Sequence, residues 1–99
     1  MKTKVFVHPR VWSFCQALPP EPRKRIRSAL KGLEAERGDI KPLEGRLSGY
    51  YRLRSGAYRI LFSIEVLGGQ RVIRCHYAEH RSIVYEVLEA RENLRAFLE

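Results

Sequence analysis

Apolar residues recur along this chain with two different periods, and the change of period marks its elements. Thr3 to Val7 is a short β-run of Val, Phe and Val that His8-Pro9 brings to an end. Val11, Phe14, Cys15 and Leu18 then follow at i, i+3, i+4 and i+7, the spacing of one helical face. Pro19-Pro20 stops this helix, because proline disfavours helical geometry in the residue before it. A second helix is expected to open at Glu21-Pro22, with Pro22 at the first helical position and Glu21 facing the positive end of the dipole. Ile26, Ala29, Leu30 and Leu33 form its apolar stripe, Arg23, Lys24, Arg25, Arg27 and Lys31 fill the remaining face, and Gly38-Asp39 closes it. Ile40 to Gly49, with two glycines and a proline, reads as a connecting loop anchored by Leu43 and Leu47.

Beyond residue 50 the period drops to two. Tyr50–Arg54 and Ala57–Val66 flank Ser55-Gly56, and Ala57–Val66 and Arg71–Ala78 flank Gly68-Gly69, so two hairpins are predicted. Tyr58, Ile60, Phe62, Ile64 and Val66 alternate onto one face, as do Ile73, Cys75 and Tyr77. After residue 80 a last helical pattern runs through Val84, Val87, Leu88, Leu94, Phe97 and Leu98. The order β-α-α-β-β-β-α predicts one α+β domain over residues 1–99. It has an N-terminal strand, a two-helix hairpin, a three- to four-stranded antiparallel sheet and a short C-terminal helix.

Size and composition narrow the functional classes. Ninety-nine residues leave no room for a two-domain enzyme, a dinucleotide-binding fold or a barrel. With 44% hydrophobic and 30% charged residues the chain is too apolar for disorder. It also lacks the run of roughly 18 apolar residues that a membrane helix needs. No signal-peptide core precedes His8-Pro9, so a cytoplasmic location is expected. Cys15 and Cys75 form no CxxC pair and are expected as buried, reduced thiols. Cys75, His76 and His80 lack the companions of a metal site, so neither a metal nor a cofactor is expected. The charge changes the picture most: 19 Lys and Arg against 11 Asp and Glu give +8, which predicts a polyanionic partner.

Strand register locates that charge. With Ser55-Gly56 as a two-residue turn, Leu53 faces Tyr58, Tyr51 faces Ile60, and Arg52 falls opposite Arg59 with Arg54 diagonal to it. With Gly68-Gly69 as the second turn, Ile64 faces Ile73, Phe62 faces Cys75, Ile60 faces Tyr77, Ser63 faces Arg74 and Leu61 faces His76. One side of the sheet is then apolar beneath the helices, and the other carries Arg52, Arg54, Arg59, Arg74 and His76 with mainly Glu65 to offset them. Like charges directly opposite in a sheet are destabilising, so an anion between them is expected. Glu79, His80 and Arg81 emerge from the third strand beside Arg59, and Tyr85 follows Arg81 by one helical turn. Guanidiniums, an imidazole, a carboxylate and a phenol together have the parts for RNA cleavage. The 2′-hydroxyl must lose a proton, the phosphorane must be stabilised and the departing 5′-oxygen must gain a proton. His80 is the group whose ordinary pKa range lies near neutrality.

The stretch Tyr51-Arg52-Leu53-Arg54-Ser55-Gly56-Ala57-Tyr58-Arg59-Ile60-Leu61-Phe62, followed by Glu79-His80-Arg81-Ser82-Ile83-Val84-Tyr85, resembles the RelE/ParE superfamily of bacterial toxin–antitoxin systems. The likeness spans nearly the whole chain. It implies a RelE-like fold and, for the RelE type, a ribosome-dependent endoribonuclease that cuts mRNA in the A site without metal. By matching position it places Arg52 and Arg54 at the family's basic pair and Arg59 at the scissile phosphate. His80 and Arg81 fall at its "HR" pair, and Tyr85 at the tyrosine of proton transfer. Ser82 stands where the common motif has arginine, and Arg52 and Arg54 stand where several members carry lysine. Acid–base work therefore falls on His80, Glu79 and Tyr85. The ParE type, which poisons DNA gyrase on the same fold, and a member that only binds its antitoxin are the alternatives. The implied partners are a cognate acidic antitoxin and either the ribosome with mRNA or DNA gyrase, with no membrane.

Overall fold

A computed structural model describes residues 3–99. Strand β1 (Lys4–Val7) leads into α1 (Pro9–Gln16) and α2 (Pro20–Gly32), which ends in a 3₁₀ turn over Leu33–Ala35. An edge strand β2 (Asp39–Pro42) and a second 3₁₀ turn (Gly45–Leu47) precede β3 (Tyr51–Ser55), β4 (Tyr58–Leu67) and β5 (Gln70–His80). Two short helices, α3 (Val84–Glu89) and α4 (Leu94–Leu98), follow. The α+β class and the N-terminal strand with its two-helix hairpin match the expectation. Five strands form one sheet in the order β1-β5-β4-β3-β2, and β1 pairs with β5 in parallel, so the sheet is mixed rather than purely antiparallel.

Local chemistry explains the other departures. The His8 imidazole accepts a hydrogen bond from the Arg10 N–H at 3.1 Å and caps α1, while Pro9 takes the first helical position. Helix α2 starts two residues earlier than Pro22, because Pro19 occupies the cap and Pro20 the first turn. Pro22 is tolerated there since the first-turn N–H groups have no intrahelical partner. Strand β2 lies in the segment read as a loop. It is four residues long and apolar at Ile40 alone among residues 39–41, too little alternation to register in sequence. Gly38 admits it to the sheet. Its φ is 132°, and a Cβ there would sit 2.8 Å from Leu53 Cδ1. The last helical pattern is two helices, their junction held by Arg46, which donates to the carbonyls of Glu89 and Arg91.

Both faces of the sheet carry a core. On the first, Leu53, Ile60, Phe62, Ile73 and Cys75 pack against Val11, Cys15, Ile26, Leu30 and Leu33 of the helical hairpin. On the second, Leu61 is fully buried beneath Leu47, Tyr50, Val84, Leu88, Leu94 and Leu98, with Tyr77 and Phe97 at the margin. Truncating a buried leucine costs about 2–5 kcal/mol, so the second face is committed to packing along its middle. The expectation of an open polar face is corrected accordingly: α3 and α4 cover its centre. Cys15 and Cys75 are free and buried, and burial raises both thiols, Cys75 to about 12. Among the described residues, no helix is long and apolar enough to cross a membrane.

Candidate active site

The hairpin between β3 and β4 sets the site. Its two-residue loop is Gly56-Ala57, not Ser55-Gly56, with Gly56 at φ 57° and Ser55 paired to Tyr58. Moving the loop by one residue shifts each pairing by two positions and leaves every side chain on its expected face. Leu53 therefore faces Ile60, Tyr51 faces Phe62, and Arg54, not Arg52, lies directly opposite Arg59. Arg52 faces Leu61, where the buried part of this face begins.

A bulge in β5 supplies the second half. The pairings Ser63 with Arg74 and Phe62 with Cys75 hold as expected, but Leu61 then meets Tyr77 and Ile60 meets Ala78. The extra residue is His76, and beyond it the strand is rotated by one position. Glu79 is thereby placed opposite Arg59, on the second face, and His80 opposite Tyr58, on the first. Across four strands the register now reads Asp39, Arg54, Arg59, Glu79 in one row and Lys41, Arg52, Leu61, Tyr77 in the next. Arg81 joins them because its N–H donates to the Ala57 carbonyl at 2.8 Å, beside the hairpin loop. Tyr85 stands in the first turn of α3, its ring exposed because neighbouring Val84 is buried in the second core.

The charges of this end are poorly balanced. Arg59 is half-buried, and its Nη1 donates to the carbonyls of Gly56 at 2.9 Å and Tyr58 at 3.0 Å. Burial lowers its pKa, Arg54, Arg52 and Arg81 lower it further, and the Tyr85 phenol opposes them. An arginine remains charged under such a shift, so Arg59 is a partly desolvated cation with three further guanidiniums near it. Arg52 pairs with Asp39 at 3.3 Å. Among the described residues, Arg54 and Arg81 have no carboxylate within ion-pair distance. Glu79 accepts from the His80 N–H at 2.9 Å and from the Tyr77 hydroxyl at 3.3 Å. A cavity of about 270 Å³ opens alongside, lined by Lys41, Pro42, Leu43, Glu44, Arg52 and Tyr85.

Arg52, Arg54, Arg59, Glu79, Arg81 and Tyr85 are thus brought together, while three expected companions are not. Arg74 lies farther along β5, against Ser63, and is bound to Glu65 at 3.2 Å with its guanidinium 5.3 Å from the Phe6 ring. Glu65 therefore offsets Arg74 and not the hairpin arginines. His76, the bulged residue, bonds Ser63 Oγ at 2.7 Å and stacks edge-on to Tyr50. Burial lowers its pKa against the opposing hydrogen bond that the ring donates to the Leu98 backbone. Both residues line a separate cavity of about 480 Å³. His80 turns to the first face, edge-on to Tyr58, with Nδ1 bonded to Ser82 Oγ at 2.8 Å. The expectation that its ring joins the arginines fails because the bulge exchanges the faces of residues 79 and 80. Sequence reading missed Asp39, Lys41 and Tyr77. Charges at 39 and 41 around apolar Ile40 were the one available sign of β2.

Neither a family model nor a curated protein sequence matches the chain. Solved structures do. A chain of the archaeal RelE–RelB complex from Pyrococcus horikoshii OT3 is 30% identical, with a TM-score of 0.63 over 82% of this chain and 97% of that one. A chain of the toxin–antitoxin complex RelBE2 from Mycobacterium tuberculosis is 25% identical, with a TM-score of 0.67 over 82% of this chain and 100% of that one. The YoeB/ParE toxin from Agrobacterium tumefaciens is 16% identical, and with a TM-score of 0.63 over 79% and 98% it shares the fold.

Proposed function

Because this chain belongs to the RelE/ParE superfamily of toxins, we propose that it is the toxin of a toxin–antitoxin pair and that it cleaves mRNA on the ribosome. The observation that carries this reading is the row in which Arg54 and Arg59 face each other, with Arg52, Arg81 and Tyr85 around them and Glu79 across the strand. Such a row is unfavourable in isolation and favourable around a phosphate.

In the proposed step the 2′-oxygen bonds to the adjacent phosphorus and the bond from phosphorus to the 5′-oxygen breaks. The products are a 2′,3′-cyclic phosphate and a 5′-hydroxyl. Arg59 and its neighbouring guanidiniums hold the phosphate and the charge that grows on it. Glu79, acceptor-only when ionised, takes the 2′-hydroxyl proton. Tyr85 gives its proton to the 5′-oxygen, and water then returns a proton to Tyr85 as Glu79 releases the one it took. The guanidiniums supply the positive charge that phosphate chemistry needs, so no metal or cofactor is assigned to the step. His80 has no part in it, nor do Arg74 and His76, which we assign to structure.

Two of the similar structures are RelE–RelB or RelBE2 toxin–antitoxin complexes. With a net charge of +8, the partner proposed for this chain is an acidic antitoxin, and the cytoplasm, where translating ribosomes are, is the proposed site of action. The test is purified protein added to ribosomes translating a defined mRNA. Breaks bearing a 5′-hydroxyl are expected. Intact mRNA together with inhibited gyrase supercoiling would overturn the assignment in favour of the ParE type.

A further inference from the structure

Opposite charges that face each other across an antiparallel pair lie with their Cβ atoms about 5 Å apart and ordinarily join. Arg59 and Glu79 are such a pair, yet no ion pair forms between them among the described residues. Each is drawn elsewhere. Arg59 is turned back onto the carbonyls of Gly56 and Tyr58. The carboxylate of Glu79 has one oxygen on the His80 N–H and the other on the Tyr77 hydroxyl.

We propose that Tyr77 is a positioning residue that holds Glu79 off Arg59, keeping the guanidinium open to a substrate phosphate and the carboxylate open to a substrate hydroxyl. The His80 N–H is backbone and fixed by the strand, so Tyr77 is the side chain of the pair that mutation can remove. Its ring is itself anchored. It meets Phe97 of α4 edge-on at 5.3 Å, and Phe97 is covered by the guanidiniums of Arg91 at 4.2 Å and Arg10 at 4.8 Å. Burial, with the adjacent Glu79 carboxylate adding to it, pushes the Tyr77 phenol up to about 12, so it stays a donor. The 3.3 Å contact is long for two oxygens, as hydrogen bonds in unliganded sites commonly are. The bulge at His76 makes the arrangement possible by putting residues 77 and 79 on the second face, the face of Arg59.

This inference rests on the proposal that Arg59 binds the substrate phosphate, and its test separates the two. The ribosome is programmed either with ordinary mRNA or with a 2′-O-methyl mRNA that cannot be cut. Wild type, Tyr77→Phe, Glu79→Gln and the double variant are compared. Phenylalanine keeps the ring against Phe97 and removes only the donor, so thermal midpoints should stay together. Tyr77→Phe is expected to weaken affinity for the uncuttable mRNA by about tenfold, as Glu79 closes onto Arg59. The double variant is expected to recover affinity, because the competing carboxylate is gone, without recovering kcat. A merely structural role would not give that recovery. Unchanged affinity in Tyr77→Phe, or no recovery in the double variant, overturns the inference. Wild type that binds both mRNAs and cuts neither overturns the nuclease proposal, while the affinity series still decides the role of Tyr77.

Discussion

The two ends of the sheet's second face use the same residue for opposite purposes. At the far end, Arg74 is paired with Glu65, and on the opposite face of the same strand Arg71 holds Glu36 through two bonds of 2.7 and 2.8 Å. At the hairpin end, Arg54, Arg59 and Arg81 are grouped without a carboxylate in ion-pair distance among the described residues, and Arg52 pairs with Asp39. Between them lie Leu61 and the cover of α3 and α4. Composition treats all these arginines alike. What separates structural from functional ones is whether the fold supplies a counter-charge, and the hairpin end leaves that task to a ligand.

The largest expected effect sets one end directly against the other. Arg59→Ala should lower mRNA cleavage by about 10²–10³, the loss typical of one removed charge-stabilising donor, with little change in thermal midpoint. Arg74→Ala should leave cleavage near wild type. Equal losses in single-turnover assays would erase the distinction. A smaller effect concerns binding. Arg54→Ala should reduce the slope of log affinity against log salt by about 1, as expected for one lost phosphate contact, and Arg71→Ala should leave the slope unchanged. RNA-binding titrations over a range of salt measure both.

Part of this contrast is legible in the sequence. Periodicity places both hairpins and the helical pair, and it puts Arg52, Arg54 and Arg59 on one face. That face assignment tolerates a misplaced turn, because a shift of the loop by one residue preserves the side each strand position takes. Glu79 and His80 receive the wrong faces from periodicity alone, since a bulge adds one residue without any signature in composition, and everything beyond it changes side. The covered middle of the second face is hidden for another reason. Leu61 and Tyr77 are covered by helices α3 and α4, whose docking on this face no local period announces, and Lys41 reaches the site through a strand too short to show a period.

The smallest expected effect probes the structural end. Hydrogen bonds from Arg71 and Thr3 lower the Glu36 carboxyl from 4.5 to about 2. A folded pKa below the unfolded one adds stability that is complete above about pH 4.5 and lost as pH falls through about 2. Thermal midpoints of wild type and Glu36→Gln should therefore differ at neutral pH and converge across that window. A gap that persists to pH 2 would show that the pair does not act through its charge.

The central claim is that the unbalanced arginines at the hairpin end bind and cleave RNA. Mapping RNA 5′ ends in cells after brief induction of wild type, Arg59→Ala and Arg74→Ala tests it most directly. The account predicts new 5′ ends within translated mRNA for wild type and Arg74→Ala, and none for Arg59→Ala. Growth arrest by wild type with no new 5′ ends would contradict it.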